Sequence, residues 1–201
     1  MESCAWKPLG RKPMSTGKRL VYVPEALVED AMRISRSSGE SMSRFVEEAL
    51  RQAVRANHLG YSHEQAAEFL EVIHAQRILG GAFVPLDVLN YLTSKACEAG
   101  GEEMQARWYE SGKLHGEYLK EKFEKPVQSL KKFLEATRWD LSEVDVKEYE
   151  HGVIFTCIST VLTKERTESL AKFIEGAMHS IGFQTEKSDC MKGMIVLEFK
   201  R

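Results

Sequence analysis

Residues 18–54, KRLVYVPEALVEDAMRISRSSGESMSRFVEEALRQAV, carry more apolar surface than they can hide from water by themselves. They read as a short β-branched strand, a proline, an amphipathic helix, a Gly turn, a Ser cap and a second amphipathic helix. The strand is Leu20 to Val23, stopped by Pro24, which has no N–H for a ladder and suits the first turn of a helix. The first helix runs to about Ser37 with Leu27, Val28, Ala31 and Met32 as its stripe, and Gly39 ends the turn. The second has Met42, Phe45, Val46, Ala49, Leu50, Ala53 and Val54 in steps of three and four, with Ser41 as N-cap. Arg44 stands where a capping box needs Glu or Gln, which leaves N–H groups at that helix start open to a phosphate. Two short helices and one strand bury too little to fold alone. Pairing two such strands across a two-fold axis removes the exposed edge and builds a ribbon of the width a major groove admits. The reading requires that pairing; a stretch left unpaired, or packed away inside its own subunit, would exclude it.

Charge adds a second asymmetry. The net charge of −2 divides into +3 over residues 1–57 and −5 over the rest. Lys7, Arg11, Lys12, Lys18 and Arg19 all precede Leu20. A basic arm on an otherwise acidic chain suits a polyanion partner, and equally fits a solvated tail. Alternation places Arg19, Val21 and Val23 on one strand face and Lys18, Leu20 and Tyr22 on the other.

The segment resembles the ribbon-helix-helix DNA-binding family. The carriers are Val23-Pro24-Glu25, Gly39, and SMSRFVEEAL at Ser41 to Leu50, about a fifth of the chain. The resemblance implies that outward strand side chains touch base edges, which are Lys18, Leu20 and Tyr22 here. It also implies a phosphate clamp at the start of the second helix, at Ser41, Met42 and Ser43. Arg19, Arg11 and Lys12 would add backbone contacts that steepen salt dependence. The family usually sets polar or basic residues on the outward face, whereas Leu20 and Tyr22 are two of the three here. Leu20 can pack on a thymine methyl and Tyr22 can donate a hydrogen bond; recruitment of the face for protein contact stays open.

Beyond residue 57 the expected organisation is a linker helix over 58–81, opened by the capping box Ser62-His-Glu-Gln65 and closed by Gly80-Gly81 at the domain boundary. Residues 82–201 form a larger domain. One helix opens at Pro85, a long one covers roughly 102 to 123, and a third starts at Pro126. Val144 to Tyr149 and Val153 to Leu162 read as strands. A helix bearing Leu170, Phe173, Ile174, Ala177, Met178 and Ile181 follows, and Gly182 ends it. Two strands close the chain, Phe183 to Lys187 and Met194 to Phe199, around a turn with Cys190 and Gly193. The order predicts an α+β class with an antiparallel sheet. Gly112 and Gly116, four apart on the long helix, predict close helix packing.

This region resembles the 4-vinyl reductase domain family, whose fold is shared with small subunits of the TRAPP tethering complex. The carriers are Tyr109-Glu-Ser-Gly-Lys-Leu-His-Gly116, Phe173-Ile-Glu-Gly176, Gly182-Phe183, Glu186-Lys-Ser-Asp-Cys-Met-Lys-Gly193 and Glu198-Phe199, about half the chain. The resemblance implies a small-molecule sensor beside a DNA-binding module, with zinc in some members. That zinc pattern is incomplete: the closing cysteine would fall near Leu197, leaving Cys157, Glu186 and Cys190 as candidates for a metal that wants four ligands. With no full ligand set, no cofactor is expected. Trp108, Tyr109, His115, Tyr118 and Phe155 are the candidate pocket, with an ordinary core as the competing reading. Neither HExxH nor a P-loop, GxSxG or dinucleotide fingerprint is present. Nothing therefore points to an enzyme.

The widely spaced cysteines (Cys4, Cys97, Cys157, Cys190), the lack of an apolar leader in MESCAWKPLG and the lack of a membrane-length run predict a reduced, cytoplasmic chain. The expected whole is a homodimeric transcription regulator of double-stranded DNA that senses a small, partly apolar ligand. The rival is a protein- or lipid-interaction scaffold whose N-terminal unit only dimerises.

Overall fold

The computed structural model describes residue 17 and residues 19–201. The chain divides into two compact units, residues 1–63 and 64–201.

The first unit is a helix pair, α1 (Glu25–Ser37) and α2 (Met42–His58). Pro24 stands at the α1 N-cap, and Gly39 turns the chain at φ +70°. Ser41 caps α2 as the sequence predicts: its side chain accepts from the Arg44 backbone N–H at 3.3 Å. Among the described residues of this single chain, residues 20–23 pair with no strand, so the expected pairing is absent here, and the segment is open to solvent, with Leu20 83% and Tyr22 93% exposed. The helices cover their own stripes only in part: Val28, Met32 and Phe45 are half-buried, while Leu27, Leu50 and Val54 stay more than half exposed. Ser35 is the unit's one buried residue among those described.

The second unit is α+β. It comprises α3 (His63–Ile78, which opens at the unit boundary), α4 (Leu86–Glu98), α5 (Gly101–Lys122), α6 (Pro126–Thr137), β1 (Glu143–Tyr149), β2 (Gly152–Ile158), α7 (Lys164–Ile181), β3 (Gln184–Met191) and β4 (Met194–Lys200). The sheet is antiparallel throughout, in the order β1-β2-β4-β3. The helix expected as a linker falls on the larger unit's side of the division: Ala75 is buried, Val72 packs on the core, and Glu68 pairs with Lys132 of α6.

Register explains the core. Val144, Cys157, Ile195 and Cys190 lie in one row, and Val146, Phe155 and Leu197 in the next. Cross-strand partners share a face, so these rows form the inner side, while Lys187 pairs with Asp189 and Glu198 outside. On that inner face lies α7, whose Leu170, Ile174, Ala177 and Met178 are essentially inaccessible. α5 packs on α7 at backbone contact. A Cβ added at Gly112 would lie 2.0 Å from the Phe173 carbonyl oxygen, and one at Gly116 2.3 Å from that of Ala177. From the other side, a Cβ at Gly176 would lie 2.1 Å from the Tyr109 carbonyl oxygen. The glycine pair does the packing work its spacing predicts.

Two strand ends differ from expectation. β2 stops at Ile158, not Leu162, because Ser159 Oγ accepts the N–H groups of Val161 and Leu162 and so makes a side-chain turn. β3 continues to Met191 through a register shift between Thr185 and Lys187, which places Cys190 in the strand and leaves only a tight turn at Gly193.

Candidate functional site

In the first unit, Arg19, Leu20 and Tyr22 form an exposed run, Ser41 and Ser43 are exposed, and Met42 is half-buried. Lys18, Arg11 and Lys12 lie outside the described residues. Ser41 engages the Arg44 amide, so that donor is committed within the chain.

The second unit holds a cavity of about 930 Å³, within the size range of small-molecule sites. Its apolar walls include Phe83, Leu89, Trp108, Phe133, Leu170 and Phe173. At its rim Phe83 stacks on Trp139, centroids 5.9 Å apart and planes at 14°. The α3–α4 connection forms part of the wall from Gly81 to Pro85, and Gln76 folds its side chain over Gly81.

Only one of the predicted pocket residues, Trp108, lines this cavity. His115 sits behind the wall. It is buried, its Nδ1 donates to the Ser111 carbonyl at 2.7 Å, and its ring packs edge-on against Phe133 and Phe173 at 5.1 and 4.9 Å. Burial pushes its pKa down, only partly opposed by the Ser111 hydrogen bond, so the imidazole is neutral and structural. Phe155 is fully buried in the sheet core, and Tyr118 packs at its edge. Tyr109 lines a separate, shallower depression with His179. Its hydroxyl meets His179 Nδ1 at 2.7 Å; His179 Nε2 accepts the Thr185 backbone N–H at 3.3 Å and faces the Thr185 hydroxyl at 2.8 Å. Both ring nitrogens are thereby engaged, which ties α5, α7 and β3 together.

The cavity's polar lining escaped the sequence reading. Asp140, in the α6–β1 loop, takes Arg138 Nε on one oxygen and Nη2 on the other, both at 2.9 Å. The second oxygen also accepts from Arg166 Nη2, while Arg166 Nη1 donates to Asn90 Oδ1 at 2.9 Å. Arg166 is buried in the first turn of α7, behind the Thr163 cap, and Asn90 comes from α4. Ser159 Oγ donates to the Asp140 carbonyl and fixes the loop. Burial pushes the Asp140 carboxyl up, but the hydrogen bond and charge of Arg138 and the charge of Arg166 outweigh it and hold it below the usual range. Spacings of two and 26 residues make no motif by which the sequence would reveal the cluster.

The metal candidates do not converge. Cys157 and Cys190 both pair with Ile195, from opposite sides of β4, so they stand two strand spacings apart, ~10 Å. Two thiolates on one zinc lie within ~4 Å of each other. Glu186 is exposed at the β3 register shift. Burial pushes the Cys157 thiol up to about 12, so it stays protonated. Among the described residues no group of three or more His, Cys, Asp or Glu side chains is placed to hold a metal, and no helix is long and apolar enough to cross a membrane. No protein-family model, no curated protein and no solved structure matches this chain.

Proposed function

We propose that the protein is a homodimeric, DNA-binding transcription regulator whose larger unit senses a small molecule in the cavity. The observation that carries the proposal is the state of the first unit in a single chain. Its segment 20–23 is exposed and has no strand partner among the described residues, and the stripes of α1 and α2 are only partly covered. A second copy resolves both at once: two segments pair as a ribbon while the stripes of α1 and α2 close on their counterparts. The resulting ribbon carries Leu20 and Tyr22 toward a major groove, while Arg19, on the opposite face, is left to the phosphate backbone. The Ser41-capped start of α2 then sits against a phosphate, as in ribbon-helix-helix repressors.

The test has two arms on the full chain. Sedimentation equilibrium should give a dimer. Sites selected from random duplexes should be palindromic and should survive competitor DNA, with affinity falling steeply as salt rises. Tyr22→Ala should weaken operator binding while leaving the dimer intact. A dimer that selects no sequence at low salt would overturn the regulator and favour the scaffold reading, for which the exposed Leu20 and Tyr22 serve as a protein-contact face.

A further inference from the structure

We propose that the cavity of the larger unit is built for an amphipathic carboxylate: an apolar body among the aromatic walls and a carboxylate head on Arg138 and Arg166. The inference deepens the sensor reading above and rests on it only for the consequence of binding.

The argument begins with charge balance. Arg138, Asp140 and Arg166 all line the cavity, and their side chains are 19%, 8% and 4% exposed. Asp140 is the only carboxylate paired with either guanidinium among the described residues. Arg166 meets a neutral amide, Asn90, with its other terminal nitrogen. Two cations therefore share one anion beside an apolar chamber. An excess buried charge is costly unless a counter-charge joins it. Donor geometry points the same way. Arg138 commits Nε and Nη2 to Asp140, and its Nη1 carries no hydrogen bond among the described residues. A guanidinium has five N–H donors and prefers planar, two-oxygen acceptors. The rest of the chamber is mainly apolar, from Phe83 through Trp108 to Phe173, and its other polar side chains (Gln76, Thr93, Ser111, Thr137, Ser169) carry no charge. Such a chamber selects a molecule with one charged end.

Binding of matched probes to the full-length protein tests this by calorimetry at pH 7.5. One series is octanoate, octanol and octylamine; the other is 4-phenylbutyrate, 4-phenylbutanol and 4-phenylbutylamine. In at least one series the carboxylate should bind at least tenfold tighter than the alcohol, and the amine should be weakest. Arg138→Gln should shrink the carboxylate–alcohol ratio to within about twofold while keeping alcohol affinity. The proposal is overturned if alcohol and carboxylate bind alike, if the amine binds best, if no probe binds, or if Arg138→Gln keeps the full preference. Should that variant not fold, the series on the unaltered chain still decides. Operator affinity with and without the tightest carboxylate is a separate readout. A carboxylate that binds without changing DNA affinity leaves the site standing and removes the sensing role, because equal affinity for two states shifts neither.

Discussion

Helices α2 and α7 start alike and end in opposite surroundings. Each has a hydroxyl N-cap, Ser41 or Thr163, whose side chain accepts the backbone N–H of an arginine three residues on, Arg44 or Arg166. Each carries apolar residues in steps of three and four. In α7, Leu170 is 1% and Ile174 0% exposed; in α2, Leu50 is 61% and Val54 55% exposed. Local sequence grammar sets where a helix starts and which side is apolar. Whether that side is buried depends on a partner surface, which α5 and the sheet provide for α7 and which a single chain does not provide for α2. Even the two arginines diverge, Arg44 in water and Arg166 beside the cavity.

The comparison predicts unequal responses to similar changes. The largest belongs to the α5–α7 crossing. Gly116→Leu would drive a side chain into the Ala177 backbone, which cannot retreat without separating the helices. A loss on the order of 4 kcal/mol or more is expected, seen in urea unfolding as collapse of the larger unit. Unchanged unfolding would show that the crossing is loose. Next is Asp140→Asn, which leaves Arg166 buried without its carboxylate. Removing one partner of a buried pair costs about 3–5 kcal/mol. The native pair also gives a sign: a carboxyl held below its usual range stabilises above that range, and the contribution fades as pH falls through the lowered value. Asp140→Asn should flatten the acid limb of the stability profile.

Leu50→Glu probes the other region. A half-exposed side chain in one chain should tolerate the change with little effect on the larger unit, so the near-ultraviolet signal of Trp108 and Trp139 should persist. In a dimer that closes on the same stripe, it should raise the dissociation constant at least tenfold, measured by sedimentation equilibrium. A dimer of unaltered strength would place its contact elsewhere and leave the α2 stripe to another partner.

Legibility followed the same division between local and long-range information. Helix starts were readable because Ser41, Pro85 and Pro126 act on their own neighbours, and the Gly112/Gly116 spacing foretold the crossing it makes. The end of β2 was misjudged because β-branched composition runs on to Leu162, while the Ser159 hydroxyl that breaks the strand is bound to Asp140, 19 residues away. The cavity was misplaced for a related reason. Aromatic residues near one another along α5 were read as a pocket, although a helix sends Trp108 and Tyr109 to different sides. The actual walls come from the end of α3, the α3–α4 connection, α4, α5, α6, α7 and the loops flanking the last two. Arg138, Asp140 and Arg166 gave one weak sign, charged side chains flanking strongly apolar segments, but only the fold brings them together.

The smallest effect concerns His115, and it distinguishes the two units by pH. Burial lowers its pKa in the folded chain, with the Ser111 carbonyl only partly offsetting it. A lowered histidine means that the unfolded chain binds the proton more readily. Its contribution is therefore intact above the ordinary histidine value, about 6.5, and declines as pH falls through that value toward the lower, folded one. The larger unit should lose stability between neutral and mildly acidic pH, and His115→Met should remove that slope while sparing the apolar contacts with Phe133 and Phe173. His115 lies outside the first unit, so dimer dissociation measured over the same pH range should be untouched by His115→Met. If the variant changes dimer strength instead, His115 acts on the first unit's assembly and the two units do not respond independently.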